Sequence, residues 1–356
     1  MKRDYLRNLR AKKAAIRYGH PSRQLQLVIV NGEGGSTTAQ LLAEILRETG
    51  KKTAVFTPRG SRIESIPYTP GYRSDSAAIH GALAAARKQR CDAAIIALDA
   101  ELEATGVLPT LAIDMILVTD LETASADLLA QPARYLVVPS GSEIASKDVE
   151  SHHTITYGDD IAADARMTSV KLYRKGTEVT AVIDHQTTVE LATFLIGTAN
   201  ARRTVAAVAA AYVMGAPVEK LADGVARLES VLGNFQSVDV DAPYRVAVDS
   251  ASSAKTVKEL ITSAKQLARR RLLVVCDQSV DPDALNAIYG DVDRLVVIQG
   301  HSGRSTDQVQ SLSEAVNITL RGAKLDDLVL LVGEELAAQI DDEQTRGARL
   351  ARGGAS

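Results

Sequence analysis

The chain has 356 residues, 46% of them hydrophobic, and a formal net charge of −3. At roughly 100–200 residues per domain that length fits two domains, and so small a net charge excludes a molecule-wide polyanion binder. Aromatics make up 4% and Trp is absent, so the cores must be aliphatic, and no run reaches the roughly 20 apolar residues that a spanning helix needs.

Cys91 and Cys276 are too few for a disulfide framework or a zinc site and read as small buried hydrophobes in a reducing compartment. Residues 1–24 form a basic segment, with Lys2, Arg3, Arg7, Arg10, Lys12, Lys13, Arg17 and Arg23 set against Asp4. Tyr5, Leu6, Leu9 and Ile16 give it a weak apolar stripe at helical spacing, which predicts a solvated helix lying on the body. No apolar stretch follows the charges, so the segment is not a secretory signal and a cytoplasmic location is expected.

From Leu25 strand and helix patterns alternate. LQLVIVN (25–31) reads as a buried strand, then come a glycine-rich turn and the helix TTAQLLAEILRETG (37–50). Strands follow at 52–58, 92–98, 115–120 and 134–140, with a helix at 77–90. Short apolar strands between helices imply a parallel sheet covered on both faces. Residues 152–196 contain two alternating runs around Lys175-Gly176, a hairpin signal that adds antiparallel strands. Helices are predicted at 200–215 and 217–230, with Pro217 in the first turn of the second. GNFQSVDVDAP, from Gly233, reads as a linker. A second alternation follows, with strands at 244–250, 272–277, 294–299 and 328–333 and a helix at 254–271 closed by Arg269, Arg270 and Arg271. It is Rossmann-like without a GxGxxG fingerprint.

The fold class is therefore α/β, a P-loop-like mostly parallel sheet domain with an antiparallel addition, followed by a Rossmann-like α/β domain. The expected divisions are the basic segment 1–24, domains 25–235 and 236–340, and a tail 341–356.

The chemistry concentrates in VIVNGEGGSTTAQLLAEIL (28–46). A strand, a glycine turn and the N-terminus of an amphipathic helix make a phosphate cradle, because the curled backbone points N–H groups inward. Gly32, Gly34, Gly35, Ser36 and Thr37 are its candidate nucleotide contacts. A working P-loop has a Lys before the Ser/Thr to reach the β/γ-phosphates, and Gly35 stands in that place.

This segment resembles the Mur ligase loop G-T-N-G-K-T-T with its following helix. Further matches come in family order: ITYGDDIAADARMTSVKL (155–172), the helices and linker of 197–240, YRVAVDSASSAKTVKEL (244–260) and HSGR (301–304). The resemblance spans roughly residues 25–335. It implies ATP and Mg²⁺ as cofactors, adenine and ribose contacts at Asn200 and Asp249, and a substrate loop holding His301 and Arg304, whose guanidinium grips a carboxylate. Under it Gly35, Asn200, Asp249 and Arg304 line one interdomain cleft.

The departures are as informative. Ile96 takes the place of the metal-binding Glu, Ser252 that of a family His, and no Lys occurs between Lys88 and Lys147 to become the family's carbamylated lysine. The family's UDP-sugar domain has no counterpart ahead of residue 25. Phosphoryl transfer works by positioning and charge neutralisation, and losing one such contact costs about 2.7–4 kcal/mol. Three readings stay open: a catalytically degenerate relative that binds a nucleotide, a protein partner or a second copy of itself; a working ATP-dependent amide ligase with altered ligands; and an unrelated α/β scaffold. Asp99, Glu101, Asp120 and Glu122 near strand ends read as solvated acids, with metal ligation as their other use. His152, His153 and His185 read as structural, PSGSE (139–143) is no nucleophile elbow, and no nucleic-acid motif is present.

Overall fold

A computed structural model describes residues 2–142, 153–298 and 303–340, with side chains from Leu6 onward; His152, His301 and the tail lie outside the described residues. Two compact units emerge, the first comprising Met1–Val170, Glu178–Thr193 and Ala201–Glu229, the second Lys171–Thr177, Phe194–Asn200 and Ser230–Ser356.

The large sheet holds β1 (Gln26–Asn31), β2 (Thr53–Thr57), β3 (Gly60–Ile63), β4 (Ile66–Pro67), β5 (Ala93–Leu98), β6 (Met115–Val118), β7 (Tyr135–Pro139), β8 (His153–Gly158), β9 (Ala165–Tyr173), β10 (Gly176–Ile183) and β11 (Thr187–Thr193). Its order is β11-β10-β9-β8-β7-β6-β1-β5-β2-β3-β4. β1 pairs in parallel with β5 on one side and β6 on the other, with Val28 facing both Ile95 and Met115. The chain leaves β1 toward β2 on one side and later crosses to β6 on the other. That reversal is a topological switch point, and ligands of open α/β sheets bind outside the carboxyl ends of strands at such points.

The helices are α1 (Lys2–Arg17), α2 (Gly35–Glu48), α3 (Ser76–Lys88), α4 (Ala100–Glu103), α5 (Ala126–Leu129), α6 (Thr198–Val213) and α7 (Val218–Ala226). α2 starts two residues before its expected start and buries Leu41, Leu42, Ile45 and Leu46. The antiparallel addition is present. β9 and β10 meet across Arg174–Lys175, and β10 and β11 meet across Asp184 and His185, whose φ values of 52° and 57° match the mirror-image turns that hairpins favour. His185 is thus a turn residue. The sheet edge β3–β4, an antiparallel meander, has too few apolar residues to show in the pattern.

The second unit has β12 (Gln236–Val238), β13 (Arg245–Asp249), β14 (Leu272–Cys276), β15 (Arg294–Ile298), β16 (Asp307–Val309) and β17 (Leu328–Val332), in the order β12-β13-β17-β14-β15-β16. Helices α8 (Ala254–Leu267), α9 (Pro282–Ile288) and α10 (Leu312–Gly322) connect them. The fully buried strands β14 and β17 carry apolar side chains on both faces, feeding two separate cores.

Several expectations are corrected. α1 does not bury its larger apolar residues. Leu6, Leu9 and Ile16 are exposed, and Ala11, Ala14 and Ala15 are buried instead, since small side chains let a helix lie close to its neighbour. The stretch read as a linker contributes β12, paired antiparallel with β13. Pro217 caps α7 from outside its first turn. α8 ends at Leu267, so the three arginines lie beyond it; Arg271 grips the buried Asp327 through Nε at 3.2 Å and Nη2 at 2.5 Å. Cys91 and Cys276 are free and buried as expected, and burial pushes the Cys91 thiol up to about 11.

Candidate functional site

β1 ends at Asn31, a buried residue that ties the strand to the next loop. Its carbonyl accepts the Thr119 N–H at 2.8 Å, and its side-chain oxygen accepts the Ser125 N–H at 2.8 Å. The backbone then turns through Gly32 (φ 107°) and Gly34 (φ 76°) into α2. Both need glycine. A Cβ on Gly32 would sit 2.6 Å from the Asp120 backbone nitrogen, and one on Gly34 would sit 1.9 Å from Arg203 Nε. Left-handed backbone and close approach are glycine's two structural uses.

Gly34 caps α2 with no side-chain bond, so first-turn amides of the helix are without i−4 carbonyl partners. One of them, that of Gly35, is spent within the turn, donating to the Gly32 carbonyl at 3.0 Å. Gly35 itself has ordinary backbone, and a Cβ there would meet nothing closer than Val30 at 3.6 Å. A lysine at 35 is therefore sterically admissible; the loop's form does not exclude it.

The cation near the turn comes from elsewhere. The Arg203 guanidinium, on α6, lies against Gly34. Sequence reasoning missed it, although Arg202 and Arg203 interrupt an otherwise apolar helical run, ARRTVAAVAAAYV. Arg203 and Asp120 both act on Tyr157, whose hydroxyl donates to the Val118 carbonyl at 2.9 Å. Burial, the larger influence, holds that phenol above its usual range. The switch point of the first unit thus brings together the glycine turn, Thr119, Asp120, Tyr157 and Arg203. Among the expected contacts, Ser36 is half-buried and Thr37 buried in the first turn of α2.

The other expected contacts belong to the second unit. Asn200 is buried, and its amide donates to the Ile196 carbonyl and to Asn234 Oδ1, both at 2.7 Å, while accepting from Asn234 Nδ2 at 2.9 Å. The Asp249 carboxylate accepts the Phe235 N–H and the Ala251 N–H, each at 2.8 Å. Asn200 and Asp249 are therefore linked through Asn234 and Phe235, residues the sequence had placed in a linker. Arg304 is exposed, and its backbone N–H donates to Asn286 Oδ1 at 3.0 Å.

The residues at the family's metal position do not fit a divalent cation. Ile96 lies fully buried in β5 and offers no oxygen. Of the four acids near strand ends, Glu101 and Glu122 are exposed as expected. Asp99 instead caps α4 through the Leu102 N–H at 2.6 Å and accepts Ser74 Oγ at 2.9 Å. Asp120 is buried beside Gly32 and not solvated.

A strand, a glycine turn and a helix at a switch point, followed by a Rossmann-like unit, define a class of two-unit α/β proteins. Solved structures share this fold. Folylpolyglutamate synthetase from Lactobacillus casei matches with a TM-score of 0.74 at 15% identity, covering 95% of this chain and 94% of that one. The UDP-N-acetylmuramoylalanyl-D-glutamyl-2,6-diaminopimelate–D-alanyl-D-alanyl ligase from Acinetobacter baumannii matches at 0.71 and 16% identity, covering 94% and 80%. No family model matches the chain. Sequence relatives include the UDP-N-acetylmuramoyl-L-alanyl-D-glutamate–2,6-diaminopimelate ligase of Halalkalibacterium halodurans, 24% identical over 377 residues that cover 92% of this chain and 77% of that protein. The ligase of the same name from Bacillus cereus is 23% identical, covering 89% and 74%. In sequence the chain is thus similar to Mur ligases, and in fold to Mur ligases and folylpolyglutamate synthetase.

Proposed function

We propose that this chain is a Mur ligase relative that has given up ligase turnover and acts by binding a nucleotide or a protein partner, which includes a second copy of itself. One observation carries the reading: the turn after β1 keeps the glycine geometry of a phosphate cradle, yet the place of the phosphate-reaching lysine is Gly35, a position whose geometry admits a side chain. Ile96 supports it, since the family's metal-binding carboxylate is replaced by a core residue. A solved structure of similar fold is a complex with AMPPCP, an ATP analogue, which makes ATP the nucleotide to test. The proposed nucleotide contacts are Gly32, Gly34, Ser36 and Thr37 at the turn and Asn200 and Asp249 in the second unit, with Arg304 and His301 toward a carboxylate substrate. The proposed domains are 25–235 and 236–340, and the proposed compartment is the cytoplasm. Among the described residues no helix is long and apolar enough to cross a membrane.

The test is calorimetric titration of ATP with and without Mg²⁺, beside an assay of ATP consumption with 2,6-diaminopimelate and other amino acids. Expected are weak, largely Mg²⁺-independent binding and no consumption. Gly35→Lys should fold normally and raise ATP affinity at least tenfold. Amino-acid-dependent consumption by the unaltered protein would overturn the proposal.

A second reading, an active amide ligase with altered ligands, has one observation in its favour. Arg203 sets a guanidinium against Gly34, a positive charge beside the cradle from another helix. Under that reading Arg203→Ala abolishes consumption; under the first there is none to abolish.

A further inference from the structure

The amino ends of the second unit's strands enclose a cavity of about 210 Å³, lined in part by Arg174, Tyr244, Arg245, Arg269, Asp326 and Asp327. At ~30 Å³ per water it has room for about seven. Arg245 is the first residue of β13 and Asp249 the last, so this is the end of the sheet opposite to where open α/β sheets take their ligands. The cavity is separate from every contact assigned above.

Its charge is unbalanced. Arg245 Nη2 donates to the Arg174 carbonyl at 3.0 Å, but Nη1 is buried without an acceptor. A charged donor left so costs upwards of about 1–3 kcal/mol, which a folded chain recovers only if something else accepts. Of the neighbouring carboxylates one is held from outside the cavity and the other by a lining arginine. Asp327 is gripped by Arg271 and accepts the Lys324 N–H at 2.7 Å; Asp326 faces Arg269 at 3.6 Å. Burial first, and then the like charge of Arg174, hold Arg245 below its usual pKa, so the cations repel one another across the cavity.

We propose that this cavity binds a phosphate-type dianion, with the half-buried Arg245 as one donor and Arg174 and Arg269 closing on it from the rim. Three guanidiniums stand against Asp326, the lining carboxylate not held by Arg271, which leaves a double positive charge. A guanidinium fork matches phosphate oxygens in a bidentate pair.

Inorganic phosphate titrated into the full chain at low ionic strength tests this, read by calorimetry and by the arginine Nε–H signals in NMR. Chloride at equal ionic strength and malonate serve as control and carboxylate arm. Expected is saturable binding that moves the Arg245 signal and is weakened at least tenfold in Arg245→Gln and several-fold in Arg269→Gln. Arg174 and Arg269 have exposed side chains, so Arg174→Gln and Arg269→Gln decide the matter should Arg245→Gln fail to fold. Phosphate binding that none of these substitutions weakens, a response that does not saturate, or malonate binding tighter than phosphate would each overturn the assignment.

Discussion

Two of the chain's turns from a buried parallel strand into a helix, those after β1 and β13, are finished in opposite ways. After β1 the turn is made of glycine backbone, and Gly34 caps α2 without a side-chain acceptor. After β13 the chain supplies its own oxygens. Asp249 accepts two backbone N–H groups, and Ser253 caps α8 by accepting the Thr256 N–H at 3.3 Å. Helix N-termini attract anions because their amides lack partners. A turn that fills them with its own side chains has less left for a ligand. On the proposed reading the first turn is the one that takes a phosphate, and in the second the polar residues have structural work of their own.

The sharpest break in that contrast is Gly32→Ala. Left-handed strain of about 1–3 kcal/mol adds to a clash with the Asp120 backbone, which cannot swing aside as a side chain can. A loss of about 3–5 kcal/mol in urea unfolding is expected; a loss under 1 kcal/mol would show that the turn is not held in this form. The next effect concerns a group of the first unit that is left unsatisfied in a different sense. His80 is fully buried, with Nε2 3.0 Å from Thr110 Oγ1. Thr110 gives its own proton to the Val107 carbonyl at 2.6 Å, so it accepts from Nε2–H and the partnerless Nδ1 is the unprotonated nitrogen. Burial, and then His20, hold the imidazole down to about 4, against an ordinary 6.5. Because the folded-state value is depressed, stability is complete above pH 6.5, falls as pH drops toward 4 and levels off below. At ~1.36 kcal/mol per tenfold in proton affinity the loss is about 3 kcal/mol. His80→Leu should flatten that acid limb, read as melting temperature against pH, whatever it does to stability at neutral pH. Asp249→Ala comes third. It strands two partly buried amides and should cost about 2 kcal/mol or more. A variant of unchanged stability would break the contrast, because the carboxylate would then not be what holds the two amides.

How much of this was legible follows the same physics. Strands buried on both faces, β1, β5, β14 and β17 among them, announce themselves as apolar runs, and the hairpins do so by alternation. α1 was misjudged because size was taken for burial, whereas close packing selected alanines. β12 was hidden because a three-residue edge strand has no pattern to show, and with it went Asn234, the partner of Asn200. The glycine turn was readable because positive φ demands a residue type. Arg203 was not, because its approach to Gly34 depends on where a helix nearly 170 residues later is laid down, and spacing along the chain does not encode that. Asp120 was read as a surface acid because the strand end that buries it was assigned without its neighbours.

The smallest effect tests the two caps directly. Ser253 has ordinary backbone, with φ −78°, and works through its hydroxyl, whereas Gly34 has φ 76° and works through its backbone alone. Ser253→Ala should cost about 1 kcal/mol, because an N–H of α8 loses its acceptor while the methyl group blocks water; Ser253→Gly should cost only a few tenths, because water reaches the bared amide. If the comparison is right, glycine is nearly as good a cap as serine so long as something outside the chain can reach the helix end. On the proposed reading that outside group at Gly34 is a ligand, and phosphate should leave the difference between the two Ser253 variants unchanged. A Ser253→Gly variant that loses as much as Ser253→Ala, in phosphate or out of it, would mean that the helix end of the second unit is closed to solvent and that the two turns differ in access more than in chemistry.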